Sequence, residues 1–193
     1  LTSEYQEKFA NYLNLMENET DRCSRIVSNL LAFSRKSELE FTDVNINELV
    51  EKCLLLSGHK LKLSNIATEL ELQEGLPPVS GDYNQMQQCI INLIFNSIDA
   101  MPTGGKLLVA TSYNQSERNI SIQVTDTGCG ISKTDLPHIF EPFFTTKSEG
   151  QGLGLGLSMV EGIIERHKGN IEVTSEVGKG TTFTIYLPIN NST

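Results

Sequence analysis

Apolar positions in this chain follow two rhythms. Over residues 3–36 they recur at alternating steps of three and four. Leu13, Met16, Thr20, Cys23, Val27, Leu30 and Ser34 form a seam, widened by Ile26, Leu31 and Phe33. A seven-residue repeat of this kind predicts one long helix packed along a bundle or dimer interface, and Ser3 with Gln6 supplies a capping box at its start. Helical spacing returns over Ile46–Leu63, over Asp82–Met101 and over Leu157–Lys168. Asp82 is the N-cap of the second of these, and Gly169 stops the third. Alternation predicts strands over 66–72, 106–113, 119–126, 170–175 and 181–187, with a short one at 41–45. Two pairs flank the polar turns NQSER and VGKG and read as antiparallel hairpins. The run EGLPPVSG reads as a turn-rich break, 132–139 as a short helix and 140–156 as irregular chain. Hairpins interspersed with helices predict an α+β, two-layer α/β sandwich preceded by the long helix.

Composition narrows the partners. The chain has 193 residues and a formal net charge of −9, which argues against nucleic acid or an anionic membrane surface. No apolar run reaches the ~20 residues that span a bilayer. Cys23, Cys53, Cys89 and Cys129 form no CxxC, so reduced thiols in a cytoplasmic setting are the simple reading. Leu1 is not a natural start, and a fragment of a longer protein is expected.

Candidate chemistry concentrates at three places. The stretch Gly150–Ser158, GQGLGLGLS, alternates glycine and leucine ahead of a helix. It reads either as a linker or as a loop whose amides wrap a phosphate at a helix N-terminus. The spacing fits neither GxGxxG nor GxxxxGK[ST]. The helix 82–101 aligns Gln88, Asn92, Asn96 and Asp99 on one face. This is either a solvated stripe or a source of amide oxygens for Mg²⁺. Asp126 follows Ile120, Ile122 and Val124 in phase, so it points inward, where it either caps its own turn or accepts from an exocyclic amine.

Taken together, NLIFNSIDAM (92–101), DTGCGI (126–131), FEPFFTTK (140–147), GLGLGLS (152–158) and GKGTTF (178–183) resemble the catalytic ATP-binding domain of sensor histidine kinases. That domain belongs to the ATPase superfamily shared with gyrase B, MutL and the large heat-shock chaperones. The resemblance covers roughly residues 40–188 and is closest to the nitrogen-regulation type. IVSNLLAFSR (26–35) looks like the end of the second helix of the dimerisation and phosphotransfer bundle. The resemblance implies a mixed sheet packed on helices over 38–188, a bundle helix over 1–37 whose partner helix with the acceptor histidine is missing, and a loose tail over 189–193.

Site roles follow from the same resemblance. Asn96 would coordinate Mg²⁺ on the ATP phosphates. Asn92 stands where hydrolytic relatives carry a glutamate base, which favours phosphoryl transfer over hydrolysis. Asp126 would bind the adenine amine, with Gly128, Gly130 and Ile131 against the base and Thr181 supporting it from the sheet. Lys147 and the amides of Gly152, Leu153, Gly154, Leu155 and Gly156 would close over the phosphates as a mobile lid. Leu153 replaces the usual threonine, and Asp99 stands where many relatives place a basic residue. His59, His138 and His167 do not fit the acceptor pattern.

The expected activity is transfer of the ATP γ-phosphoryl to a histidine outside the fragment, for relay to an aspartate of a response-regulator receiver domain. The intact protein would be a homodimer through the bundle and cytoplasmic, or the cytoplasmic part of a membrane-bound sensor. A non-catalytic ATP-sensing module is the alternative, kept open by Leu153 and Asp99.

Overall fold

The computed structural model describes residues 5, 8–10, 12, 13, 16, 20, 40–146 and 154–189. The described positions among the first twenty are helical and exposed. The rest of the seam predicted over 3–36 and the tail over 190–193 lie outside the described residues.

From residue 40 onward the order is β1 (Thr42–Val44), α1 (Ile46–Leu63), β2 (Ile66–Leu72), β3 (Val79–Gly81), α2 (Tyr83–Ala100), β4 (Gly105–Asn114), β5 (Asn119–Asp126), a single 3₁₀ turn (Leu136–His138), α3 (Gly156–Arg166), β6 (Asn170–Glu176) and β7 (Gly180–Pro188). Five strands form one sheet in the order β2-β4-β5-β7-β6. β2 and β4 are parallel, joined across α2, and the other neighbours are antiparallel. The sheet is therefore mixed, and the chain is an α+β two-layer sandwich.

Local chemistry sets the helix ends. The Asn45 side chain accepts from the amides of Asn47 and Glu48 and caps α1. The Asp82 side chain accepts from the Gln85 amide and caps α2, as its position in the sequence predicts. At the end of α3 the left-handed residue is Lys168, at φ 57°, and not Gly169. The Gly169 amide still donates back to the Ile164 carbonyl at 2.9 Å. A glycine is needed there because a Cβ would strike the Tyr186 carbonyl.

Two expectations differ from the structure. The run read as a turn before α2 contains β3, which pairs antiparallel with β1 through Val44↔Val79. The helix expected over 132–139 is only the 3₁₀ turn, since Pro137 lacks an amide to continue an α-helix.

The core lies between the inner sheet face and the three helices. Leu107 and Val109 of β4, Ile120, Ile122 and Val124 of β5, and Phe183, Ile185 and Leu187 of β7 are fully buried. They meet Leu49 and Val50 of α1, Ile90, Leu93 and Ile94 of α2, and Val160, Ile163 and Ile164 of α3. Each such side chain contributes about 2 kcal/mol by leaving water. His167 pins two of the helices. Its Nδ1–H donates to the Ile163 carbonyl at 2.8 Å, and its Nε2 accepts from the Asp82 amide at 2.9 Å. The end of α3 is thereby fixed to the start of α2.

Candidate nucleotide site

Asp126 ends β5 with its side chain on the inner face, 3% exposed. The register places Leu107, Asp126, Thr181 and Ser175 side by side across β4, β5, β7 and β6. Cross-strand neighbours share a face, so three polar side chains follow one leucine in a single inward row. One oxygen of Asp126, Oδ1, accepts from the Gly128 amide at 2.9 Å and from the Thr181 amide at 3.2 Å. Burial pushes the Asp126 carboxyl above its ordinary range, and the Gly128 amide, the Ser97 hydroxyl and the Thr181 amide oppose that rise. Ser97 lies in α2, is fully buried, and makes no hydrogen bond of ordinary geometry, so its hydroxyl acts on Asp126 only as a nearby dipole.

Glycines let the backbone close on this row. At Gly128 a Cβ would press on the Ala100 carbonyl at 2.6 Å and on Asp126 Oδ1 at 2.8 Å. Gly130 is left-handed at φ 71°, and a Cβ there would strike the backbone of Glu176. The loop is bound on both sides. The Cys129 amide donates to the Ala100 carbonyl at 3.0 Å, and the Gly178 amide donates to the Cys129 carbonyl at 2.8 Å. The Ile131 amide donates to the Ser175 hydroxyl at 2.8 Å.

On α2, Asn92 and Asn96 are half-buried. Asn92 directs its Nδ2 at the Met159 sulfur at 3.9 Å, so its oxygen is left to accept. Asn96 has no hydrogen-bond partner among the described residues. Gln88 of the same predicted stripe is half-buried and Asp99 is exposed. No group of three or more His, Cys, Asp or Glu side chains able to hold a metal occurs among the described residues. A cation here would take the neutral oxygen of Asn96 and draw its remaining ligands from a bound anion and water, which suits Mg²⁺.

α3 opens at Gly156 behind Leu155, which provides no side-chain cap. Among the described residues no side chain caps its first amides, and the dipole favours an anion there. Just before it, the Phe143 amide donates to the Gly154 carbonyl at 3.0 Å. Both residues are left-handed, Phe143 at φ 70° and Gly154 at φ 65°. This clasp joins Phe143 of the FEPFFTTK run to the entry of α3. Lys147, Gly152 and Leu153, and the expectation of a mobile lid, fall outside the described residues.

The structure thus brings Asp126, Gly128, Gly130, Ile131 and Thr181 together. It places Asn92 and Asn96 on the helix whose end touches the glycine loop, and Gly154, Leu155 and Gly156 at the start of α3. Sequence reasoning missed Ser175 and Ser97. A recess of about 360 Å³, lined by Leu54, Gly58, Leu61, Lys62, Ile66, Thr68 and Leu70, lies at the opposite sheet edge and contains none of these residues.

Residues 81–191 match the family described as histidine kinase-, DNA gyrase B-, and HSP90-like ATPase, and the chain belongs to that family. Its relatives place it among the catalytic domains of sensor histidine kinases. It is 39% identical over 183 residues to the signal transduction histidine-protein kinase AtoS of Escherichia coli (strain K12), covering 93% of this chain and 29% of that one. The catalytic domain of histidine kinase ThkA, in a nucleotide-free form, superimposes with a TM-score of 0.68 at 31% identity, covering 77% of this chain and 95% of that one. ThkA in complex with response regulator protein TrrA gives a TM-score of 0.78 at 31% identity, covering 95% of this chain and 52% of that one. The chain spans less than half the length of the curated relatives it matches. Among the described residues, no helix is long and apolar enough to cross a membrane.

Proposed function

We propose that this domain binds Mg-ATP between the Asp126 row, the face of α2 and the start of α3, and that within its full protein it donates the γ-phosphoryl to a histidine. The observation that carries the reading is the state of Asp126. Two backbone amides occupy one carboxylate oxygen, and the other, Oδ2, remains to accept from the adenine amine. Gly128 and Gly130 keep the base close to the backbone. Asn96 would hold Mg²⁺ through its amide oxygen, and the ion would neutralise charge on the phosphates. The uncapped amides at Gly156, together with Lys147 and the glycines before it, would cradle the phosphates.

The chain's own residues favour transfer over hydrolysis. Asn92 cannot take a proton from water, and the Met159 contact fixes its amide. None of the three histidines suits the acceptor role. His167 is buried with both ring nitrogens engaged, and His138 pairs with Glu141 at 2.8 Å. His59 lies near the C-terminal end of α1, far in sequence from any glycine or amide of the site. The acceptor on this reading is a histidine presented by a helical bundle, with the phosphoryl relayed to a response regulator; ThkA forms a complex with response regulator protein TrrA. Dimerisation through residues 1–37 belongs to the same reading.

Calorimetry of ATP binding with and without Mg²⁺, for wild type and Asn96→Ala, tests the metal assignment. Mg-dependent affinity that the mutant keeps would overturn it. Labelled ATP with a separately supplied helical hairpin bearing an acceptor histidine tests the transfer. Acid-labile label on the hairpin is expected, and tight ATP binding without label would favour a nucleotide sensor.

A further inference from the structure

We propose that Ser175 sets the base specificity of the site by taking the hydroxyl proton of Thr181. The inference rests on the adenine reading of Asp126 and adds a residue to it.

Ser175 has one proton and two lone pairs to place. Its hydroxyl donates to the Gly180 carbonyl at 3.0 Å, an acceptor with no proton of its own. It accepts from the Ile131 amide at 2.8 Å. Its remaining contact, with the Thr181 hydroxyl at 2.9 Å, can then only be one in which Thr181 donates. Thr181 is 5% exposed and has no other side-chain hydrogen bond among the described residues. Its hydroxyl proton is thus held toward β6, and only oxygen lone pairs remain to face a ligand.

The backbone donors around Thr181 are committed in the same way. The amides of Gly128 and Thr181 go to Asp126, that of Cys129 to Ala100, and that of Ile131 to Ser175. The strand side of the pocket therefore offers Asp126 Oδ2 and Thr181 Oγ1 as acceptors, with no proton to give. A purine carrying an exocyclic amine satisfies both. A purine carrying a carbonyl at that position would set oxygen against oxygen there, with its ring N–H the one donor left for two buried acceptors. Were Ser175 absent, Thr181 could turn its proton into the pocket and meet the carbonyl.

The test is calorimetric affinity for ATP and for inosine triphosphate, which differs at that position. Wild type is expected to prefer ATP. Ser175→Ala should narrow the preference by about tenfold, chiefly by improving inosine triphosphate binding. Ser175→Thr should restore it, because the hydroxyl returns. In a Thr181→Val background, Ser175→Ala should change the preference no further. If Ser175→Ala does not fold, Ser175→Cys, whose sulfur is a weak acceptor, is measured in its place, with a partial narrowing expected. A merely structural Ser175 would weaken both nucleotides equally, and an unchanged ratio overturns the inference. Equal binding of the two nucleotides by wild type would instead overturn the adenine reading beneath it.

Discussion

Thr181 donates its amide to the same Asp126 oxygen that Gly128 occupies, so the carboxylate is held from β7 and from the glycine loop that follows β5, and its second oxygen stays open. The arrangement costs stability. Burial raises the folded pKa of Asp126 above its ordinary 3.8, so the folded state keeps a proton that the unfolded chain has released. Stability therefore falls as pH climbs from near 3.8 through the folded value, and levels off above it. ATP affinity should move the other way, because only the carboxylate accepts from an amine. Asp126→Asn is expected to raise the melting temperature at neutral pH, to flatten its acid-side pH dependence and to abolish ATP binding. Calorimetric melting and ATP titration across pH check all three, and a less stable mutant would contradict the charge-burial account.

His167 carries a structural load that its surroundings make specific. Removing the ring would leave the Asp82 amide unpaired in the core, while the Ile163 carbonyl keeps only the backbone amide of residue 167 at 3.2 Å, and would open a cavity beside Phe41, whose ring lies 5.1 Å away. His167→Ala should destabilise the domain by about 3 kcal/mol or more, measured by urea unfolding. ATP affinity extrapolated to the folded fraction should change little, since His167 meets α2 through its N-cap Asp82 and makes no hydrogen bond to a residue of the proposed site.

Gly154→Ala tests the clasp between Phe143 and Gly154. Gly154 is left-handed, and a Cβ there would strike the backbone of Phe143 and Phe144. The clasp must shift, and with it the entry into α3. ATP affinity should drop about tenfold or more, while the melting temperature falls by only a few degrees. The reverse pattern, a lost fold with unchanged affinity of the folded fraction, would show that the clasp serves packing alone.

Thiol reactivity gives an independent check on burial. Burial pushes the Cys53 thiol up to about 12 and raises Cys89 further, whereas Cys129 is exposed in the glycine loop. In a Cys23→Ser background, an aromatic disulfide reagent at mildly alkaline pH should label one thiol of the native protein. All three of Cys53, Cys89 and Cys129 should react after denaturation.

The inward aim of Asp126 was legible because strand periodicity admits one answer: it shares the phase of Ile120, Ile122 and Val124. The caps at Asp82 and at the close of α3 were legible from residue type, although Lys168 rather than Gly169 takes the left-handed turn. β3 was hidden because its three residues follow two prolines and gain strand geometry only from β1, far away in sequence. Ser175 was hidden for a related reason. An isolated serine on an edge strand looks solvated, and its partner Ile131 lies 44 residues away. Its role exists only once the register sets it beside Thr181. The sole signal available was phase, since Ser175 alternates with Val173 and Ile171 as Asp126 does with Val124.

The inward row Leu107–Asp126–Thr181–Ser175 draws one residue from each of four strands. A slip of one residue in any pairing would turn that strand's member to the outer face and dismantle the pocket. On the proposed reading, nucleotide binding would proofread strand pairing: only correctly aligned chains would take up ATP, and mass action would then draw the folding ensemble toward them. Refolding yields scored by ATP capture should count aligned chains alone, and slipped but compact ones would pass uncounted.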